Sequence, residues 1–195
     1  MKKIGVFLGR FQPIHNAHLR TIRKMLKENE EAYIVIGSSE KARTKRNPFS
    51  SGERRSFIMS VLDAEPKLKQ AMKDKKLKVV ELKDWTDEDD EDVKTWGLYL
   101  YFNLVNIIGT KEFNIYYGDD INIIKSWFND EMIKDKVTIV DMDRNTNKNK
   151  ISSTQIRQAI INESSENNKF LSRALPPIML GFINYMRKVL NYVNE

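Results

Sequence analysis

The sequence predicts an α/β fold built on a doubly wound parallel sheet. Three observations carry this. Short apolar runs alternate with helical patterns along the chain. The first two runs, Ile4–Leu8 and Ala32–Ile36, each end in glycine, at Gly9 and Gly37. The composition, 41% hydrophobic and 31% charged over 195 residues, suits a soluble chain able to bury a core.

The elements follow in order. Ile4–Leu8 reads as a buried parallel strand. A helical pattern comes next, with Leu19, Ile22 and Leu26 on one face and Arg20, Arg23, Lys24 and Lys27 largely off it. Ala32–Ile36 is the second strand. Residues 38–50 are polar and basic, with Asn47-Pro48 as a turn signal. Ser51-Gly-Glu-Arg opens a helix carrying Phe57, Ile58, Val61 and Leu62. Leu77–Leu82 is a strand, 93–108 a helix, Phe113–Tyr117 a strand, Asp120–Phe128 a short helix and Val137–Val140 a strand. Ser152–Ile161 is a helix and Pro177–Val193 a last amphipathic one. The lysine-rich stretch Lys67–Lys83 and the acidic run 87–92 read as solvated surface. In such sheets ligands sit at the carboxyl ends of the strands. The segments after Leu8, Ile36, Leu82 and Tyr117 are therefore the places to look for chemistry.

Composition also excludes. With no cysteine, disulfide scaffolds, thiolate metal sites and cysteine nucleophiles are ruled out. No apolar run reaches the ~18 residues of a membrane span. Met1-Lys2-Lys3 resembles the start of a signal peptide, but the apolar stretch after it ends too soon, at Gly9-Arg10. The expected location is the cytoplasm. The net charge of +6 admits acidic small molecules or nucleic acid as partners and does not choose between them.

The chain's two histidines lie just after the first strand, in Gly9-Arg-Phe-Gln-Pro-Ile-His-Asn-Ala-His18, with a helix expected to begin at about His18. They are two histidines without a role, a zinc pair or a phosphate site. Zinc takes three or four ligands, and neither a third histidine nor a cysteine exists to complete a set. A glycine-ended strand running into a helix start supplies N–H groups and a positive dipole end. Two imidazoles and Arg10 add donors and charge, which suits a polyphosphate whose charge shifts in the transition state. The pattern is neither a Gly-x-x-x-x-Gly-Lys-Ser/Thr loop nor Gly-x-Gly-x-x-Gly.

A second motif runs from Gly37 to Arg54 and contains Lys41, Arg43, Lys45 and Arg46 ahead of Asn47-Pro-Phe and Gly52-Glu-Arg. It reads as an exposed basic loop or as an anion-binding loop at the sheet's carboxyl edge. Arg46 could hold a phosphate in two-pronged fashion. Ser50 or Ser51 could cap the next helix. The third motif, Ile151-Ser-Ser-Thr-Gln-Ile-Arg157, reads as a plain helix start or as a triphosphate cradle of hydroxyls, N–H groups and Arg157.

Gly-Arg-Phe-Gln-Pro-x-His-x-x-His resembles the signature of archaeal-type nicotinamide-nucleotide adenylyltransferases. These are nucleotidyltransferases of the superfamily named for its His-x-Gly-His motif. Ala17 stands where that family usually has glycine, and Ile14 where phenylalanine is common. Asn47-Pro-Phe, Gly52-Glu-Arg54 and the Ser152, Ser153, Thr154 and Arg157 set are similar to the family's other two motifs.

The resemblance implies a Rossmann-like nucleotidyltransferase fold over 1–195 as one domain, with a C-terminal helical segment, about 152–195, packed on it. It implies an ATP site at Gly9, Arg10, Phe11, Gln12, His15 and His18, with Ser152, Ser153, Thr154 and Arg157 on the phosphates. Gly118 and Asp119 would lie near adenine and ribose, although Tyr117-Gly-Asp-Asp120 also reads as a simple turn. His15, His18 and Arg157 would be the catalytic set. Arg46 falls where the family binds the mononucleotide's phosphate, and Glu53 and Arg54 would tie that loop down. Asp84 and Trp96 match an aspartate at a strand end followed by a tryptophan that stacks on the nicotinamide ring. Trp85 is the rival stacker, and Trp96 also reads as core.

The implied reaction joins nicotinamide mononucleotide to ATP, giving NAD and pyrophosphate, with magnesium on the ATP phosphates. The alternatives are a related enzyme with another phosphate acceptor, such as nicotinate mononucleotide, phosphopantetheine or a phosphorylated alcohol, and a non-catalytic nucleotide-binding protein on the same fold. Expected partners are ATP and a phosphate-bearing small molecule, with neither nucleic acid nor membrane. The basic residues are spread along the chain without aromatic interleaving. Self-association is left open.

Overall fold

In the computed structural model, which describes residues 2–84, 93–118, 121–142 and 151–194, five apolar runs form strands. They are β1 (Ile4–Gly9), β2 (Glu31–Ile36), β3 (Leu77–Glu81), β4 (Phe113–Tyr117) and β5 (Val137–Asp141). All pair in parallel in the order β3-β2-β1-β4-β5. Register is set by Ile4 opposite Glu31 in β1–β2 and Gly5 opposite Asn114 in β1–β4. The order reverses at β1, between β2 and β4. That is the switch point where a crevice opens at the strands' carboxyl ends.

Side chains alternate across the sheet, so each strand feeds two cores. Phe7, Ile34, Ile36 and Tyr116 face one layer. It is built by α1 (Asn16–Glu28), α2 (Ser51–Asp63), α3 (Pro66–Lys73) and the C-terminal α6 (Ser153–Ile161), α7 (Ser165–Ala174), α8 (Pro177–Leu180) and α9 (Ile183–Asn194). Ile4, Val6, Tyr33, Val35 and Ile115 face the other, covered by α4 (Val93–Ile108) and α5 (Ile121–Trp127). The doubly wound parallel sheet expected from the sequence is therefore the observed fold.

Differences from the sequence reading have local causes. α1 begins at Asn16, ahead of His18, because His15 takes the extended N-cap conformation and its backbone N–H donates to the His18 ring. The lysine-rich stretch is not featureless. Pro66 opens α3, whose Leu68 is buried while Lys67, Lys69 and Lys73 are exposed. α7 has no counterpart in the sequence pattern, because its start, Ser-Glu-Asn-Asn, is polar and only Leu171 and Ala174 are buried. The last helix is two. At Gly181 and Phe182 the N–H groups reach back to Ile178 and Met179, a tighter turn that ends α8. Phe182 then packs edge-on against Phe57 of α2 at 5.3 Å. The acidic run 87–92 lies outside the described residues.

One close approach fixes how α4 and α5 meet. Gly97 lies against the end of α5, where an added Cβ would stand 1.7 Å from the Trp127 carbonyl oxygen. Backbone cannot yield as a side-chain tip can, so Gly97→Ala must push the helices apart. The expected cost is about 1–3 kcal/mol, read as a lower urea midpoint at unchanged slope. An unchanged midpoint would show that α5 moves without resistance.

Candidate active site

The site grows from the end of β1. Phe11 leaves the strand in a left-handed conformation, φ 49°, and folds its ring into the core. There it meets Phe7 edge-on at 5.4 Å and His18 at 4.9 Å. Gly9 makes room, since a Cβ at that position would touch the Phe11 ring at 3.0 Å. Gln12 is also buried. Its Nε2 donates to the Phe49 carbonyl at 2.9 Å and its Oε1 accepts the Phe49 N–H at 3.0 Å. The side chains of Phe11 and Gln12, both expected at the ATP site, are thus engaged inside the protein. What this segment presents at the edge is its backbone and the exposed Arg10.

His15 and His18 stack with ring centroids 3.6 Å apart. Both are buried, His15 wholly and His18 to 6% exposure. Because His18 Nδ1 accepts the His15 backbone N–H at 3.3 Å, a neutral His18 carries its proton on Nε2. His18 is thereby fixed in orientation, with Nε2 as the donor. His15, fully covered, caps α1 and backs the His18 ring.

The third motif closes on the first. Ser152 caps α6 by accepting the Gln155 N–H, as the serine-rich sequence predicts. Ser153 Oγ donates to the Pro13 carbonyl at 3.1 Å, and Arg157 Nη1 donates to the Gln12 carbonyl at 2.9 Å. Arg157 Nη2 also donates to Thr154 Oγ1 at 3.4 Å. The N-terminus of α6 is thereby held against the loop that leads into α1. Burial, and then the neighbouring charge of Arg10, pull the Arg157 guanidinium below its ordinary range. Two guanidiniums that disfavour each other beside a helix N-terminus are relieved by an anion.

The second motif is anchored by Arg54. This side chain is fully buried and donates to four carbonyls: Ser50 at 3.2 Å, Arg10 at 2.9 Å, Gly37 at 2.7 Å and Ser38 at 2.9 Å. It joins the ends of β1 and β2 to the start of α2. Ser50 caps α2 in a reciprocal box with Glu53. Glu53 also takes two hydrogen bonds from Arg43, at 2.6 and 2.9 Å. Glu53 and Arg54 do tie the loop down. Arg46 is exposed on the turn between Thr44 and Asn47.

Beyond β3, Asp84 is held by its neighbours. Its carboxylate accepts from Ser38 Oγ at 3.2 Å and pairs with Lys41 at 3.1 Å. The carboxylate thus closes the β2 and β3 ends on each other, and its charge is matched by Lys41. Trp96, in the first turn of α4, is half-buried in an aromatic group. Tyr99 lies 5.6 Å away and Trp127 edge-on at 6.2 Å, and Trp127 in turn meets Tyr117 at 5.7 Å. Tyr117 ends β4 beside Gly118, so the group lines the sheet edge next to the switch point. Trp127 was not foreseen, although it is one of only three tryptophans and follows the β4 end closely. Trp85 and Asp119 lie outside the described residues.

The chain is 44% identical over 59 residues to a nicotinamide-nucleotide adenylyltransferase of Thermococcus sibiricus, covering 30% of this chain and 32% of that one. It is 45% identical over 60 residues to a nicotinamide/nicotinic acid mononucleotide adenylyltransferase of Acinetobacter baylyi, covering 31% and 32%. The matched segments thus span about a third of these relatives' length. Among solved structures it resembles a Plasmodium falciparum nicotinic acid mononucleotide adenylyltransferase complexed with NaAD, with a TM-score of 0.61, 18% identity and full coverage of both chains. It also resembles a bifunctional NMN adenylyltransferase/ADP ribose pyrophosphatase of Francisella tularensis, at TM-score 0.60 and 23% identity, over 100% of this chain and 55% of that one. These likenesses show the fold. Residues 6–159, from β1 into α6 and so through all three motifs, match the Cytidylyltransferase-like model, and the chain belongs to that family.

Proposed function

We propose that the chain transfers the adenylyl group of ATP to nicotinamide mononucleotide, giving NAD and releasing pyrophosphate. The observation that carries this is the junction of α6 with the β1–α1 loop. It gathers Arg10, Arg157, a helix N-terminus and an oriented His18 at the sheet's switch point. That set suits a triphosphate.

The mononucleotide's phosphate oxygen attacks the α-phosphorus in line, and the bond to the pyrophosphate oxygen breaks. No protein nucleophile is needed, so catalysis is positioning plus charge stabilisation. His18 Nε2–H donates to a phosphate oxygen, and Arg10 and Arg157 neutralise charge on the leaving pyrophosphate. Arg46 holds the acceptor's phosphate, and Trp96 stacks on its ring. Among the described residues no cluster of three histidines or carboxylates could cage a metal. Magnesium would be held chiefly by the triphosphate oxygens and water, where it would shield their charge.

The test is to incubate the chain with ATP, magnesium and a panel of phosphate acceptors, following pyrophosphate and the dinucleotide product. Nicotinamide mononucleotide should give the fastest release. Pyrophosphate release with none of the panel by a folded, ATP-binding chain would remove the reading.

A second measurement addresses the ring. A cationic pyridinium on a tryptophan face is worth roughly 0.5–2 kcal/mol. Nicotinamide mononucleotide should quench tryptophan fluorescence, and Trp96→Phe should abolish most of the quench. A quench that survives there and vanishes in Trp85→Phe moves the stacking to Trp85. Asp84, being matched by Lys41, does not by itself reject the carboxylate of nicotinate mononucleotide.

A further inference from the structure

The turn that carries Arg46 is braced by the C-terminal helix. Thr44 N–H donates to the Asn47 carbonyl at 3.2 Å, and Asn47 N–H donates to Thr44 Oγ1 at 2.9 Å, closing the turn on itself. Its two flanks, Arg43 and Pro48, are joined by Arg43, whose Nη1 and backbone N–H both donate to the Pro48 carbonyl, at 2.8 and 3.3 Å. Arg43 sits in the left-handed region, φ 57°, a conformation a non-glycine residue keeps only where its surroundings hold it.

What holds it is Glu53, whose carboxylate accepts both ends of the Arg43 fork and the Ser50 N–H at 2.7 Å. A further donor reaches that carboxylate from far along the chain, the hydroxyl of Tyr185 on α9. Burial pulls the Glu53 carboxyl upward, but the hydrogen bonds from Arg43, Tyr185 and Ser50 outweigh it, leaving the carboxyl at about 2. It is therefore an acceptor throughout the neutral range. Tyr185 is 45% exposed. α9 is also seated beside this region by Phe182 and Tyr185 on Phe57, at 5.3 and 6.4 Å, and Phe57 meets Phe49 at 5.5 Å, one residue past Pro48.

We propose that Tyr185, acting through Glu53 and Arg43, is a positioning residue for the Arg46 turn, and that it sets affinity for the acceptor's phosphate without acting on ATP. The inference rests on the reading that Arg46 binds that phosphate. The geometry favours the acceptor side because the braced turn lies after β2, whereas the Arg157 and His18 cluster lies after β1. The phenol, the carboxylate and the guanidinium form one chain of charge-assisted hydrogen bonds, so removing the terminal donor loosens the next link.

The test uses the full chain carrying Tyr185→Phe, Arg46→Ala and both together. It measures the KM for nicotinamide mononucleotide and for ATP, and the rate of trypsin cleavage after Lys45 and Arg46 without substrate. Tyr185→Phe should raise the acceptor KM about threefold to tenfold, the range of one lost hydrogen bond. It should leave kcat and the ATP KM unchanged and speed cleavage at the turn. In the Arg46→Ala background, Tyr185→Phe should add nothing to the acceptor KM. Glu53→Gln, which keeps the shape but weakens the Arg43 pair, should repeat the Tyr185→Phe pattern more strongly.

The proposal is overturned if Arg46→Ala raises the acceptor KM while Tyr185→Phe does not. An equal rise in both KM values would also overturn it, since that marks general loosening. Should Arg46→Ala leave the acceptor KM untouched, the reading of Arg46 fails and takes this inference with it. The cleavage rate still reports separately whether Tyr185 orders the turn.

Discussion

His18→Ala lowers turnover by about 10²–10³ while the protein stays folded. A preorganised donor aimed at charge that develops in the transition state is worth that much, and His18 is preorganised here by an observable contact. The His15 N–H on His18 Nδ1 leaves Nε2 as the donor, and the rings of His15, Phe7 and Phe11 fix the imidazole plane. Alanine removes the donor and also the ring nitrogen that accepts the His15 N–H at the start of α1. The helix survives because Leu19, Ile22 and Met25 remain buried against the sheet. The loss should fall on kcat, with the ATP KM nearly unchanged, since the interaction strengthens only as charge builds on the reacting phosphates. Single-turnover pyrophosphate release, paired with a thermal melt, separates this from unfolding. Near-normal turnover in a folded variant removes His18 from the chemistry.

The sequence made the frame legible because the frame is periodic. Apolar runs of strand length that end in glycine, separated by helical patterns, leave few alternatives to a parallel sheet. α4 and β4 were bounded as they are observed, Val93–Ile108 and Phe113–Tyr117. What stayed hidden depends on contacts between distant segments. Nothing local to Tyr185 marks it as a partner of Glu53, which lies 132 residues earlier. Nothing around Gly97 announces that the backbone of Trp127 will cross it. α3 and α7 leave little mark on the sequence because each buries only one or two residues, too few to impose a period.

The candidate residues fall at strand ends in the sequence and in the fold alike, but which of their side chains packing takes up was not legible. Phe11 and Gln12 belong to the β1-end motif, yet their side chains are engaged inside the protein. Asp84 stands at its strand end, yet its carboxylate is matched by Lys41 and Ser38. A motif records which residues a site requires. Whether a side chain faces a ligand or holds up its neighbour is decided by packing.

Arg54→Ala should be the most destabilising single change outside the hydrophobic core, at roughly 3–5 kcal/mol. Leaving one buried polar group unsatisfied costs about 1–3 kcal/mol, and Arg54 serves four carbonyls, on Arg10, Gly37, Ser38 and Ser50. Water entering the space left behind recovers part of that, so the sum is not reached. Burial pulls the guanidinium below its ordinary range, but it starts high enough to keep its charge at neutral pH. The loss should therefore be much the same from pH 6 to 8. Arg54→Lys is the sharper probe, because it keeps a cation and discards the planar fork. One ammonium cannot span the ends of β1, β2 and α2 together, so lysine should recover less than half of the lost stability. At about 2–4 °C per kcal/mol for a chain of this size, the alanine variant should melt about 6–20 °C lower. If lysine restored the full melting temperature, charge alone would be holding the two strand ends in place. If alanine melted normally, the four carbonyls would have other donors. Were both variants to weaken ATP and acceptor binding in proportion to each other, that would follow from Arg54's position, since it ties the β1 end, where ATP is proposed to bind, to the β2 end, where the acceptor is.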